Sequence, residues 1–184
     1  MQLYVVRHGQ TDWNAQNRVC GHTDLPLNAQ GILQAQAQAQ NFLEKGVCPA
    51  YILSSPLLRA RQTAELLART LGASVAVDAR LIEVDYGLYD GADRGDAGFQ
   101  HCKAQFAVRF PQGESMLQAA HRVYSLMEEL SAAMPPAVVL VTHGGICRLI
   151  ETYFHDLPNA AFPEWRMSNA QATKYTIEKT QGDQ

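Results

Sequence analysis

Apolar residues fall into two alternating patterns along this 184-residue chain, short solid runs and longer periodic stretches. "LYVV" at residues 3–6 is a β-branched run bounded by a glycine-containing loop, the pattern of a strand covered on both faces. Over residues 25–46, Leu27, Ile32, Ala35, Ala39, Phe42 and Leu43 recur at helical spacing, with Asn28 placed to cap the start and Gly46 to close the end. The "QAQAQAQ" tract inside it combines two good helix formers and reads as a surface helix. "AYILSS" at residues 50–55 is a second strand candidate, running into Pro56 and an amphipathic helix that Gly72 ends. "SVAV" is a third strand, and "VYSLMEELSAAM" a helix stopped by Pro135 and Pro136. "AVVLVTHGG" is a strongly apolar strand with "ICRLIETYF" as the helix after it, and "TKYTIEK" alternates like an edge strand.

Strand and helix in alternation predict an α/β fold: a three-layer α/β domain with a largely parallel sheet, a single unit over residues 1–184. Crossovers in such a domain are right-handed, and ligands bind outside the carboxyl ends of the strands. With 47% hydrophobic and 18% charged residues the chain is expected to fold by itself. A net charge of −3, with no run of five like charges, invites neither nucleic acid nor an anionic membrane, so any attraction for anions must be local. No apolar run approaches the ~20 residues of a spanning helix and the N-terminus lacks a signal-peptide pattern, which predicts a cytoplasmic protein. Four scattered cysteines without a C-x-x-C pair fit reduced thiols, mostly packing residues.

Two of the predicted strands end alike, in Arg7-His8-Gly9 and in Thr142-His143-Gly144-Gly145, so both histidines should face one crevice. Arg59 lies about one turn inside the helix after the second strand, where its guanidinium can fold back toward the sheet edge. Arg7, Arg59, His8 and His143 are four potential positive charges converging on a small volume, an anion site whose glycines permit close backbone approach. Histidine can attack phosphorus through one ring nitrogen and leave again, while guanidinium groups fork onto phosphoryl oxygens. Phosphoryl transfer asks mainly for such positioning and charge stabilisation. Glu83, just after Leu81 and Ile82 and ahead of a glycine-containing loop, is the best candidate for the acid that protonates a leaving alcohol.

Four segments, in order, resemble the histidine phosphatase superfamily, the phosphoglycerate mutase-like fold, along nearly the whole chain: "VVRHGQTDWN", "GHTDLPLNAQG", "SSPLLRARQTAE" and "VTHGG". The resemblance implies a mixed sheet with helices on both faces. It implies His8 as the nucleophile forming a phosphohistidine, Arg7, Arg59 and His143 as phosphoryl ligands beside Gly144, and Glu83 as proton donor. It also implies Asn14 in the phosphate pocket, the backbone of Cys20 and Gly21 bordering a small phosphorylated metabolite, and no metal or other cofactor. Two departures stand out. The family often has Gly-x-Trp-Glu-Gly after the acid, where this chain reads "GLYDG" with Tyr89 and Asp90, and Gln10 replaces the more frequent Glu, removing a negative charge beside the anion site.

A mutase of this family carries extra segments after the acid and a tail over the pocket. The shorter stretch here, with room for a brief helix before "FPQGES" and little beyond "TKYTIEK", favours hydrolysis. Mutase-type transfer and a silent relative that only binds phospho-ligands are the alternatives. A cysteine phosphatase would need His-Cys-(x)5-Arg, and "HCKAQFAVR" puts Arg109 one residue too far in a helical stretch. A metal hydrolase would need close ligand pairs, whereas His22, His101, His121 and His155 are dispersed and read as surface or capping residues. "RGD" at residues 94–96 reads as a chance tripeptide. The sequence leaves the particular ester and the oligomeric state open; Cys20 to Asp24, Val84 to Phe110 and the residues near Trp165 should set selectivity.

Overall fold

The computed structural model of the protein describes residues 1–178. Its elements run β1 (Gln2–Arg7), α1 (Asp12–Ala15), α2 (Ala29–Glu44), β2 (Tyr51–Ser54), α3 (Leu58–Leu71), β3 (Val75–Val77), α4 (Ala97–Lys103), α5 (Met116–Ala133), β4 (Ala137–Thr142), α6 (Gly144–Phe154) and β5 (Ala172–Thr176). The five strands form one mixed sheet in the order β3-β2-β4-β1-β5, parallel throughout except that β5 runs antiparallel to β1. Residues on β4 alternate between faces, so Val139 and Val141 join Phe42, Ala60, Ala64 and Leu67 beneath α2 and α3. Val138 and Leu140 turn the other way, into the larger core with Leu126 of α5 and Ile146, Leu149 and Ile150 of α6. Helices on both faces of the sheet make the expected three layers.

Strand order is what assembles the site. β1 and β4 are adjacent and in a register that pairs Arg7 with Thr142. His8 and His143 therefore leave the sheet side by side, with ring centroids 5.1 Å apart, and the His8 backbone N–H donates to the Thr142 carbonyl at 2.9 Å.

Helix α2 corrects one expectation about the core. Its buried stripe is Gly31, Ala35, Ala39 and Phe42, while Ile32 and Leu43 are 40% and 51% exposed. The small residues let α2 approach closely. A β-carbon on Gly31 would lie 2.1 Å from the Gln10 carbonyl oxygen, and one on Gly9 would lie 2.4 Å from the Gly31 carbonyl oxygen. This glycine-on-glycine contact seats the loop after His8 on the helix start, where Asn28 caps as expected by accepting from the Gly31 N–H at 2.8 Å.

Two further boundaries moved for local reasons. Helix α5 starts at Met116, earlier than the periodic stretch suggested, because Ser115 and Gln118 form a reciprocal capping box. The predicted helix through "HCKAQFAVR" stops at Lys103. β5 occupies the sheet edge predicted for "TKYTIEK", whose Lys179 lies, with the residues after it, outside the described part of the chain. Among the described residues no helix is long and apolar enough to cross a membrane.

Candidate active site

At the carboxyl ends of β1 and β4 lies a cavity of about 210 Å³. Arg7, His8, Asn14, Cys20, Glu83 and Gly144 line it, six of the residues expected at the site. His8 is 2% exposed and its Nδ1 lies 2.7 Å from the Gly9 carbonyl oxygen, a contact only Nδ1–H can satisfy. That fixes the tautomer and leaves a lone pair on Nε2. Burial, then the Arg59 and Arg7 charges, hold the ring's pKa well below the ordinary 6.5, so the imidazole is neutral and nucleophilic. The strand end is tied further where Asn169 Nδ2 donates to the His8 carbonyl at 3.0 Å and the Gly9 N–H donates to Thr63 Oγ1 at 3.1 Å.

Unpaired donors identify the ligand this cavity suits. Arg7 gives NH1 to the Met167 carbonyl at 2.6 Å, but its buried Nε has no partner. Asn14, in a capping box with Thr11, accepts on Oδ1 from the Thr11 N–H and from Asn169 Nδ2, which turns its Nδ2 outward, buried and also without a partner. Five buried side-chain polar atoms lack partners among the described residues, and three of them, on Arg7, Asn14 and Arg148, are donors on residues of this one cavity. Buried donors without acceptors are costly, so a concentration of them marks where an acceptor-rich group from outside belongs. The start of α6 adds its own positive end there: His143 is the N-cap without a side-chain cap, and Gly144 lines the cavity.

Glu83, 5% exposed, is held at this helix start. Oε1 accepts from the Val84 N–H at 2.9 Å and Oε2 from the Gly145 N–H at 3.2 Å. Gly145 must lack a side chain for this, since a β-carbon there would sit 2.5 Å from Glu83 Oε1 and 2.8 Å from the Tyr86 hydroxyl. The Glu83 carbonyl accepts from His22 Nε2 at 2.8 Å and from Arg122 NH2 at 3.1 Å, and Arg122 also bonds the Arg80 carbonyl and pairs with Glu114 at 2.7 Å. His22, read from the sequence as a surface or capping residue, thus anchors the segment that carries the candidate acid.

Three expected contacts are arranged differently. Arg59 is fully buried behind the wall, with Nε on His143 Nδ1 at 3.2 Å, NH1 on the Thr23 carbonyl at 2.9 Å and NH2 on the Gly21 carbonyl at 2.7 Å. His143 has both ring nitrogens engaged, the second with Ser55 Oγ at 2.6 Å. Gly21 directs its N–H to Asp90 Oδ1 at 2.7 Å and its carbonyl to Arg59. Arg7 lines the cavity, while the donors of Arg59 and both ring nitrogens of His143 are engaged within the fold beside it.

Burial, then Arg59, lowers the His143 pKa well below 6.5 as well, so the histidines contribute no positive charge near neutrality, contrary to the four-cation expectation. Gln10 also points away from the cavity, accepting from Asn28 at 3.1 Å, so its difference from Glu acts on the α2 cap rather than on the anion site. Asp90 of "GLYDG" ties the loop after Cys20 by accepting from the Gly21 N–H and from both the N–H and hydroxyl of Thr23.

The segments expected to set selectivity supply much of the far wall, with Tyr86, Arg94, Phe99, Gln100 and Lys103 from residues 84–110 and Arg166 and Met167 beside Trp165, though the sequence named none of them singly and missed Arg148. Arg94 belongs to the "RGD" set aside as chance. The signal that could have found Arg148 is its place four residues after Gly144, one turn along the helix that leaves the second histidine.

Comparison with known proteins gives the family and the fold. Residues 3–183 match the histidine phosphatase superfamily (branch 1). The chain belongs to this superfamily. Among its relatives, the "Probable phosphoglycerate mutase GpmB" of Escherichia fergusonii is 33% identical over 98% of the chain and 87% of its own length. A mycobacterial glucosyl-3-phosphoglycerate phosphatase solved with VO3 superposes with a TM-score of 0.83 at 34% identity, covering 94% of this chain and 90% of that one. The same mycobacterial enzyme solved with inorganic phosphate gives a TM-score of 0.79 at 35% identity, covering 94% and 88%. Such relatives carry the names of phosphatases and of mutases.

The neutral buried histidines predict a pH response of stability. Unfolded, each regains a pKa near 6.5, so below that value the unfolded chain binds more protons than the folded one. Their stabilising contribution is complete above about pH 6.5 and declines as pH falls, by up to about 1.4 kcal/mol per pH unit for each ring. Urea unfolding midpoints followed from pH 7 to pH 5 should drop accordingly, and more steeply than in a His143→Gln variant. Equal slopes would mean that His143 is already protonated in the fold.

Proposed function

We propose that the protein is a metal-independent phosphatase that hydrolyses small phosphate monoesters through a phosphohistidine on His8, in the cytoplasm. The observation that carries this reading is the neutral His8 with its free Nε2 on the same cavity wall as two buried, unpaired donors, Arg7 Nε and Asn14 Nδ2. The donors and the α6 N-terminus hold the phosphoryl oxygens while Nε2 attacks phosphorus and the ester P–O bond breaks. Glu83 acts as the general acid, its carboxyl proton passing to the departing oxygen to give the alcohol. The positive charge formed on the substituted ring is stabilised by Nδ1–H against the Gly9 carbonyl. Water then attacks the phosphohistidine, gives its proton to the Glu83 carboxylate and releases phosphate, restoring His8.

Arg59 and His143 support this chemistry from behind. Arg59 fixes the loop carrying Cys20 through the Gly21 and Thr23 carbonyls and places a fixed positive charge near the reacting group. The names of the phosphatase relatives support hydrolysis, as does the short segment between Glu83 and α5; the mutase relatives name the alternative fate of the phosphohistidine, transfer to a second hydroxyl.

The reading is tested by mixing the protein with p-nitrophenyl phosphate, quenching in alkali, where phosphohistidine survives, and mapping peptides by mass. A phosphoryl increment should appear on the peptide carrying His8, with turnover undiminished by EDTA. Steady turnover without that increment, or loss of turnover on chelation, would overturn it.

A further inference from the structure

Glu83 stands on a stretch, residues 82–86, that belongs to no helix or strand. It follows the short 3-10 turn Ala79–Leu81, where the Leu81 carbonyl accepts from Thr142 Oγ1 at the end of β4 at 2.7 Å. Irregular backbone must find its hydrogen bonds outside a regular ladder, and here one ion pair supplies them. Arg122 NH1 donates to the Arg80 carbonyl at 2.6 Å and NH2 to the Glu83 carbonyl at 3.1 Å. Glu114 Oε1 accepts from the Asp85 N–H at 3.0 Å, and the Glu114 N–H donates to the Asp85 carbonyl at 3.0 Å. The two side chains hold each other, NH2 on Oε1 at 2.7 Å and Nε on Oε2 at 3.4 Å, in the forked geometry of a guanidinium on a carboxylate. Backbone groups before, at and after the acid thus end on this one pair.

The pair is itself fixed to a rigid element. Glu114 directly precedes the Ser115 cap of α5, and Arg122 lies about two turns along the helix, whose Ala119, Val123 and Leu126 are buried in the larger core. Neither residue lines the cavity, so neither touches the ester. Their reach is through the Glu83 backbone. The carboxyl meets the Val84 and Gly145 N–H groups at 2.9 and 3.2 Å only while the chain at residue 83 keeps its distance from the start of α6. Proton transfer to a departing oxygen needs hydrogen-bond reach, and a misplacement of about 1 Å costs on the order of a hundredfold in rate. A second tie to α5 differs in kind: the Arg80 side chain pairs with Glu129 at 2.9 Å and with Asp78, in the open and without a bond to the backbone of residues 82–86.

We propose that Arg122, locked by Glu114, is the positioning residue of the Glu83 acid and holds its carboxyl where it protonates the leaving alcohol. This rests on the phosphatase reading above and adds to it the device that keeps the acid in reach. His22 Nε2 shares the Glu83 carbonyl at 2.8 Å, so loss of Arg122 loosens the stretch without freeing it.

The test compares kcat/KM for glycerol 3-phosphate, whose alcohol needs the proton, with kcat/KM for p-nitrophenyl phosphate, whose nitrophenolate leaves without it. Arg122→Met should cost about thirty- to a hundredfold on the first ester and no more than about fivefold on the second, with inhibition by inorganic phosphate kept within about twofold. Glu114→Gln keeps Arg122 but removes the charge that locks it; the same selective loss should appear at about three- to tenfold, which carries the test if Arg122→Met does not fold. In a Glu83→Gln background Arg122→Met should cost glycerol 3-phosphate little more, because no acid remains to be placed. Arg80→Met should leave the ratio of the two esters as it was. Equal losses on both esters in Arg122→Met and Glu114→Gln, an undiminished loss in the Glu83→Gln background, or an equal shift of the ratio in Arg80→Met overturns the positioning role and leaves the phosphatase reading standing. Failure of the unaltered protein to hydrolyse either ester overturns both.

Discussion

A His8→Ala protein loses p-nitrophenyl phosphate turnover by about four orders of magnitude or more, because the variant keeps a place for the phosphoryl group but has nothing to attack it. Arg7, Asn14 and the α6 N-terminus still bind phosphate, so inorganic phosphate should bind the inactive variant with affinity near that of the unaltered protein. The split between lost turnover and kept binding separates a nucleophile from a residue that merely shapes the pocket. The ring is 2% exposed and fills space beside His143, so some loss of thermal stability accompanies the change. A rate within tenfold of the original would remove His8 from the chemistry, and phosphate binding lost together with turnover would make its role structural.

Glu83→Gln is the second large effect, and its size should depend on the leaving group. An alkyl phosphate such as glycerol 3-phosphate departs as a poor leaving group and needs the proton, so turnover should fall about a hundred- to ten-thousandfold. Nitrophenolate leaves without help, so p-nitrophenyl phosphate should lose much less. Glutamine has one acceptor oxygen where the carboxylate meets the N–H groups of both Val84 and Gly145, so one of those contacts is lost as well. That disturbance is common to all substrates and cancels in the ratio of the two esters. Equal losses for both would place the acid on another residue, and Tyr86, whose hydroxyl sits beside the Gly145 backbone, would be the next to test.

Much of this architecture is legible in local pattern. The runs that became β1, β2 and β4 are solid and apolar because each is covered on both faces, and the helices between them are bounded by cap residues, glycines and prolines. The α2 expectation failed where pattern and packing part. Ile32 and Leu43 fit a helical period, but the face that turned inward carries glycine and alanine, which leaves room for the close approach of the loop at Gly9. Arg59 was legible as a cation beside the strand ends. That its donors would close on Gly21, Thr23 and His143 depended on loops whose course no spacing specifies.

By itself the sequence determined the α/β alternation, the two strand ends that deliver His8 and His143, and Glu83 as the acid nearest them, because secondary-structure period and capping are properties of neighbouring residues. Tertiary structure alone decided that β1 lies beside β4, that His8 keeps a bare Nε2, that the donors of Arg59 close on Gly21, Thr23 and His143, and that Lys103 and Arg148 line the same cavity as His8. Those outcomes turn on which buried donors find acceptors. For residues more than a hundred positions apart, such as His8 and Asn169, that is settled only when the sheet brings them into hydrogen-bonding distance.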